Sequence, residues 1–140
     1  MSAVYDKLGI RFEYPENWKL DEQDALDGAP AVTVYSPQGA FWSVTLHESS
    51  AQPRQLIDAA LAAMRQVYSE LDVEEVVEEM QGRESVGYDM NFYCLDFTNT
   101  SCVRSWRALD TTYLVLYQAE DREFARIEAV FQAMTASLSR

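Results

Sequence analysis

Only two cysteines, one histidine, five glycines and four prolines occur in 140 residues, and each scarcity closes off a class of function. Two thiols, Cys94 and Cys102, are too few for a disulfide scaffold and lack the ligand count of a zinc site. The glycines are dispersed, with neither G-x-G-x-x-G nor G-x-x-x-x-G-K, so no phosphate-cradling loop is expected. No stretch approaches the ~20 apolar residues of a membrane-spanning helix, and residues 1–10 hold one Lys and no signal-peptide core. Cations are scarce too: eleven Lys and Arg stand against 23 Asp and Glu, a formal net charge of −12. Nucleic acid and anionic membrane surfaces are bound mainly through cationic side chains, so neither is an expected partner. The expectation is a cytoplasmic domain with free thiols, no metal and no cofactor, whose acidity aids solubility or draws a basic partner.

What is present is ordinary core material. A 48% hydrophobic content over this length fits one domain, 1–140, with room for a single sizeable core. Ile10, Phe12 and Tyr14 alternate with Arg11 and Glu13 as on a half-buried strand, which Pro15 ends. Residues 16–30 read as a short extended piece around Trp18 and Leu20 followed by an acidic loop. Strands are predicted at Val32–Tyr35 and Phe41–Glu48, joined through Ser36-Pro37-Gln38-Gly39. From Ser50 to Glu70 the period changes: Leu56, Ala60, Ala63, Met64, Val67 and Leu71 recur at helical spacing, with Pro53 near the start.

Asp72–Met80 fits a helical stripe as well as a strand. Continuing the preceding helix would place Glu74, Glu75 and Glu78 on its apolar stripe, so a strand is the reading adopted. Further strands are predicted at Val86–Phe97, Val103–Leu109 and Thr112–Ala119, with turns at residues 98–101 and near Asp110-Thr111. Two of these are apolar at both parities, as central strands covered on both faces are. A helix over Asp121–Leu138, with Phe124, Ile127, Phe131, Met134 and Leu138 on one stripe, closes the chain. Short connections imply a largely antiparallel sheet with two main helices packed on it, an α+β fold.

The stretch from Gly9 to Trp18, GIRFEYPENW, resembles the opening of the PsbP-like superfamily. Later elements agree in order: a helix after the early strands, Gly87-Tyr88 leading a long strand, and a C-terminal amphipathic helix. The superfamily includes the photosystem II extrinsic subunit, the Ran-binding Mog protein and bacterial proteins of unknown function. The resemblance implies an α/β/α sandwich around an antiparallel sheet, and members that bind proteins rather than catalyse. Some bacterial relatives, acidic and cytosolic, are chaperones for type VI secretion effectors. No binding residue carries over. Neither the leader of the photosynthetic members nor the lipid-attachment Cys of some bacterial ones is seen, so those settings are not expected.

Catalytic templates fail residue by residue. His47 shares a strand face with Thr45, but no third group orients the pair, and a half-buried strand histidine is expected. If Asn99-Thr100 is a two-residue turn, Cys94 and Cys102 do not oppose each other; a three-residue loop centred on Thr98 would align them. Buried free thiols are the reading adopted. With Gly28 at the required glycine of a calcium loop, Gln23 and Ala25 fall at ligand positions and Val34 at the closing one, so the template fails. Arg104 and Trp106 share a strand face, which reads as core packing of the Trp beside a snorkelling Arg. The run Asp72, Glu74, Glu75, Glu78, Glu79 is the densest charge cluster and suits an edge strand guarded by charge. Glu74, Glu75, Glu78 and Glu79 are accordingly the candidate partner-binding residues. The function expected is a non-enzymatic protein-binding domain, with self-association left open. The alternatives are a chaperone or adaptor for type VI secretion effectors, or a small-molecule binder or weak hydrolase with a pocket between sheet and helix.

Overall fold

Alternating apolar residues over most of the chain commit it to strands, and their short connections dictate which strands become neighbours. The computed structural model describes residues 1–25 and 27–139. In chain order these form β1 (Ser2–Lys7), β2 (Ile10–Pro15), β3 (Lys19–Asp21), β4 (Ala31–Tyr35), β5 (Phe41–Glu48), α1 (Pro53–Val67), β6 (Asp72–Met80), β7 (Arg83–Cys94), β8 (Phe97–Arg107), β9 (Thr111–Glu120) and α2 (Asp121–Ser137). Seven strands make one antiparallel sheet in the order β3-β4-β5-β9-β8-β7-β6, and β1 and β2 form a separate hairpin. The sheet lies between α1 on one face and α2 with the hairpin on the other, the α/β/α sandwich that the resemblance implied.

Each face has its own core. Ile57 and Leu61 of α1 pack on Val86, Met90 and Val103. On the opposite face Phe124, Phe131 and Met134 of α2 meet Trp42, Tyr117 and Trp18, and Phe12 of the hairpin packs on Trp42 at 4.8 Å between rings. β8 and β9 contribute to both cores, as central strands covered on both faces do. Two polar links pin α2 to the sheet: Trp42 Nε1 donates to Thr135 Oγ1 (3.0 Å), and Ser36 Oγ donates to the buried Glu123 (2.7 Å). Glu120 caps α2, its carboxylate accepting from the Arg122 and Glu123 N–H groups, which satisfies donors that have no partner inside the helix.

Several expectations need correction. The turn placed at residues 98–101 lies instead at Leu95-Asp96, with Cys94 opposite Phe97. Both turn residues have positive φ, 52° and 67°, as a two-residue turn matched to strand twist requires. The polar run Thr98–Ser101 continues β8, where Thr100 Oγ1 accepts from Asn91 and donates to Asp121. Cys102 therefore faces Asp89, not Cys94, and both thiols are free. β1 has no apolar alternation to mark it as a strand, since only Tyr5 in it is buried. The first helix is shorter at both ends than Ser50–Glu70, opening at Pro53 and closing where Tyr68 turns extended.

α1 lies across β7, β8 and β9, and α2 across β8, β9 and β2. The sheet is wider than either helix, so one flank of each face lies beyond its helix. On the α2 face that flank is β6 and β7.

Candidate functional site

A glycine creates the site. Gly87 stands opposite Arg104 in the β7–β8 pair. A Cβ there would lie 2.0 Å from the Val103 carbonyl oxygen and 2.8 Å from Arg104 Cδ. With only hydrogen in the way, Arg104 lies across β7 and reaches β6. Its Nε donates to Glu78 (2.7 Å), its Nη2 to Asp89 (2.8 Å), and its Nη1 to the carbonyls of Val103 and Tyr88 (3.0 and 3.3 Å). Arg104 is 6% exposed, so it does not snorkel as expected; it is buried and paired, while Trp106 beside it is core as expected. The pairing follows from the cost of burial, since a guanidinium removed from water needs opposite charge and hydrogen bonds.

This ion-paired cluster floors a cleft of about 380 Å³ between α2 and the outer strands, walled by Glu78, Asp89, Thr100, Cys102 and Tyr117 from the sheet and by Phe124, Glu128, Gln132 and Thr135 from the helix. Burial alone would push the Arg104 guanidinium down, but its hydrogen bonds to the Glu78 and Asp89 carboxylates outweigh it and hold the group protonated. Burial, then Asp89, pushes the Cys102 thiol well above its ordinary range. Burial, then Cys102, does the same to the Tyr117 hydroxyl. A thiol held protonated is a poor nucleophile. What the cleft can do is accept hydrogen bonds and balance positive charge, since Glu78, Asp89 and Glu128 outnumber one guanidinium.

The four candidate glutamates do not converge. They lie on β6, an edge of the sheet, and divide between its faces. Glu78 joins the cleft on the α2 side, and Glu75 pairs with Arg54 of α1 at 2.7 Å on the other side. Glu74 lies opposite Asp89 and Glu79 opposite Glu84; neither has a cation partner among the described residues. His47 is half-buried on β5, opposite Thr112. Asp89, Tyr117, Phe124, Glu128 and Gln132 were not read as site residues in the sequence. Gly87 signals the arginine that binds Asp89, because an isolated glycine inside a strand marks close approach by another group, but no spacing in the sequence marks the β9 and α2 residues.

No protein-family model and no curated protein sequence matches this chain. Solved structures do match it in shape. The cyanobacterial PsbP protein CyanoP of Synechocystis sp. PCC 6803 superposes with a TM-score of 0.66 at 12% identity, covering 99% of this chain and 91% of that one. PA94 of Pseudomonas aeruginosa, described as a protein of unknown function and putative regulator, gives 0.61 at 10% identity over 99% and 96%. LpqN of Mycobacterium tuberculosis, described as involved in cell envelope biogenesis, gives 0.55 at 11% over 99% and 90%. Identities this low carry the architecture and nothing of the chemistry, and the architecture they establish for this chain is the PsbP-like fold.

Proposed function

We propose that this chain is a non-enzymatic, cytoplasmic protein-binding domain that docks a basic extended segment of another protein along β6. The observation that carries the reading is that β6 is a nine-residue strand at the edge of the sheet with five carboxylates, Asp72, Glu74, Glu75, Glu78 and Glu79. An edge strand offers main-chain N–H and C=O groups to an incoming strand, and its side chains select the partner. Pairing two copies of β6 would set carboxylates against carboxylates, which disfavours self-association by this route.

A fluorescent peptide of alternating Lys and Val tests it. Saturable binding that weakens with salt is expected, and the double reversal Glu74→Lys with Glu79→Lys should cut affinity roughly tenfold, about 1.4 kcal/mol. Glu13→Lys with Glu16→Lys, a reversal of equal charge away from β6, should cost much less. If the two pairs weaken binding equally, the peptide senses only net charge and the docking reading fails.

A secretion-effector chaperone is a narrower form of this reading and would shield its client on an apolar sheet face. Beyond α1, however, β4 and β5 set Thr33, Ser43, Thr45 and His47 beside Tyr35 and Phe41, a mixed surface. The cleft under α2 favours a second reading, a small-molecule binder with its pocket between sheet and helix.

A further inference from the structure

We infer that the core on the α2 side of the sheet contains a binding site for ordered water, built by Ser85 of β7, Trp106 of β8 and Tyr113 of β9. The site is separate from β6 and from the cleft floored by Arg104, so it stands whatever binds at either. Its basis is a set of polar atoms that burial leaves without partners. Ser85 and Trp106 are 0% exposed and Tyr113 1%. Among the described residues, Ser85 Oγ, Trp106 Nε1 and the Tyr113 hydroxyl have no hydrogen-bond partner. The other fully buried indole, Trp42, is bonded within the protein, to Thr135. A buried polar group left unpaired forfeits the hydrogen bonds it makes with water in the unfolded chain. Three of them would cancel much of the margin by which a domain is stable.

The register brings the three side chains together. Trp106 stands opposite Tyr113, and their rings meet edge to face at 5.6 Å. Val86 stands opposite Ser105, which sets Ser85 beside Trp106 on the neighbouring strand. Val86 packs in the core under α1, whereas Trp106 and Tyr113 belong to the core under α2. Because side chains alternate along a strand, Ser85 faces the α2 side with them. The outcome is one row of polar groups across β7, β8 and β9.

The chemistry of that row selects the ligand. An indole Nε1 can only donate, while serine and tyrosine hydroxyls both donate and accept. Burial pushes the Tyr113 hydroxyl up, so it keeps its proton. Water complements this set: its oxygen accepts from Trp106, and its hydrogens go to the hydroxyl oxygens. An anion would be buried in a row that carries no positive charge. A metal ion would lack ligands, since no three His, Cys, Asp or Glu side chains among the described residues come together to hold one. An apolar ligand would leave all three groups unpaired. Ser85 supplies the room, because its short side chain fills little of a position in a core otherwise built of large ones, and buried water needs space together with two or more polar partners.

A high-resolution crystal structure and one substitution test the inference. Solvent density is expected within about 3.2 Å of Trp106 Nε1 and of at least one of the two hydroxyls. Tyr113→Phe keeps the ring and its packing on Trp106, and circular dichroism checks that the fold is kept. In urea its unfolding equilibrium constant should rise at least about fivefold, because the water loses a partner. A dry site gives the opposite sign, since removing an unpaired buried hydroxyl relieves its cost. Absence of solvent density at Trp106 Nε1, or a Tyr113→Phe protein as stable as wild type or more so, would overturn the inference.

Discussion

Gly87 and Arg104 act as one unit although seventeen positions separate them, because the side chain of one occupies the space the other leaves. Two contacts make Gly87 necessary: the Val103 carbonyl at 2.0 Å from an added Cβ, and Arg104 Cδ at 2.8 Å. They differ in kind, since a side chain can move aside while a main-chain oxygen inside a sheet cannot. Gly87→Ala should therefore destabilise by about 3 kcal/mol or more, in the range of the larger single-site effects. Adding Arg104→Ala should not restore stability, because the carbonyl clash persists and Glu78 and Asp89 lose their cation. Urea denaturation of both variants checks this. A Gly87→Ala protein as stable as wild type would mean that the Val103 carbonyl does not crowd position 87. Little of this pairing is legible in the sequence. Gly87 announces that something approaches, but which residue does so depends on the β7–β8 register, and that was misplaced with the turn.

Elements are more legible in this sequence than single residues, and the reasons are local. Alternation around Phe12, Trp42 and Val115 marks strands because one face must be buried, and the stripe through Phe124, Phe131 and Met134 marks α2 because helical period brings those rings to one side. β6 was separated from α1 by the same reasoning, since its glutamates would have fallen on the apolar stripe. The β7–β8 turn was not legible, because Leu95 is a poor advertisement for a turn and Thr98-Asn99-Thr100-Ser101 is a good one. The structure sets Leu95 and Asp96 at φ 52° and 67°, where a Cβ crowds the neighbouring carbonyl at a cost of roughly 1–2 kcal/mol per residue. Replacing the pair by Asn-Gly, the residues that adopt this turn most readily, should stabilise by about 1 kcal/mol. Denaturant unfolding of Leu95→Asn with Asp96→Gly checks it. An unchanged midpoint would show that the turn is not strained.

At the scale of the molecule, charge opposes the fold that burial makes. A net charge of −12 is met by few ion pairs among the described residues: Lys7 with Glu22, Arg54 with Glu75, Arg122 with Glu120, and Arg104 shared between Glu78 and Asp89. Only the last is built on a buried side chain, and screening reaches it least. The remaining pairs are exposed and contribute little. Folding thus draws together carboxylates that the unfolded chain keeps apart, with β6 the densest case: Glu74 opposite Asp89 and Glu79 opposite Glu84. Dissolved salt shortens the reach of this repulsion to about 10 Å at 0.1 M and about 3 Å at 1 M. The midpoint of thermal unfolding should accordingly rise, by a few degrees, as sodium chloride is raised from about 0.01 M to about 0.5 M. Calorimetry of the wild type beside Glu74→Gln with Glu79→Gln makes the argument specific. The double variant should begin at a higher midpoint and respond less to salt, because its seam has lost the repulsion that salt screens. A midpoint that falls with salt in the wild type would show that attractive pairs outweigh the repulsion. The acidic edge would then stabilise the free protein rather than burden it, and the reason for expecting a basic strand to relieve β6 would be gone.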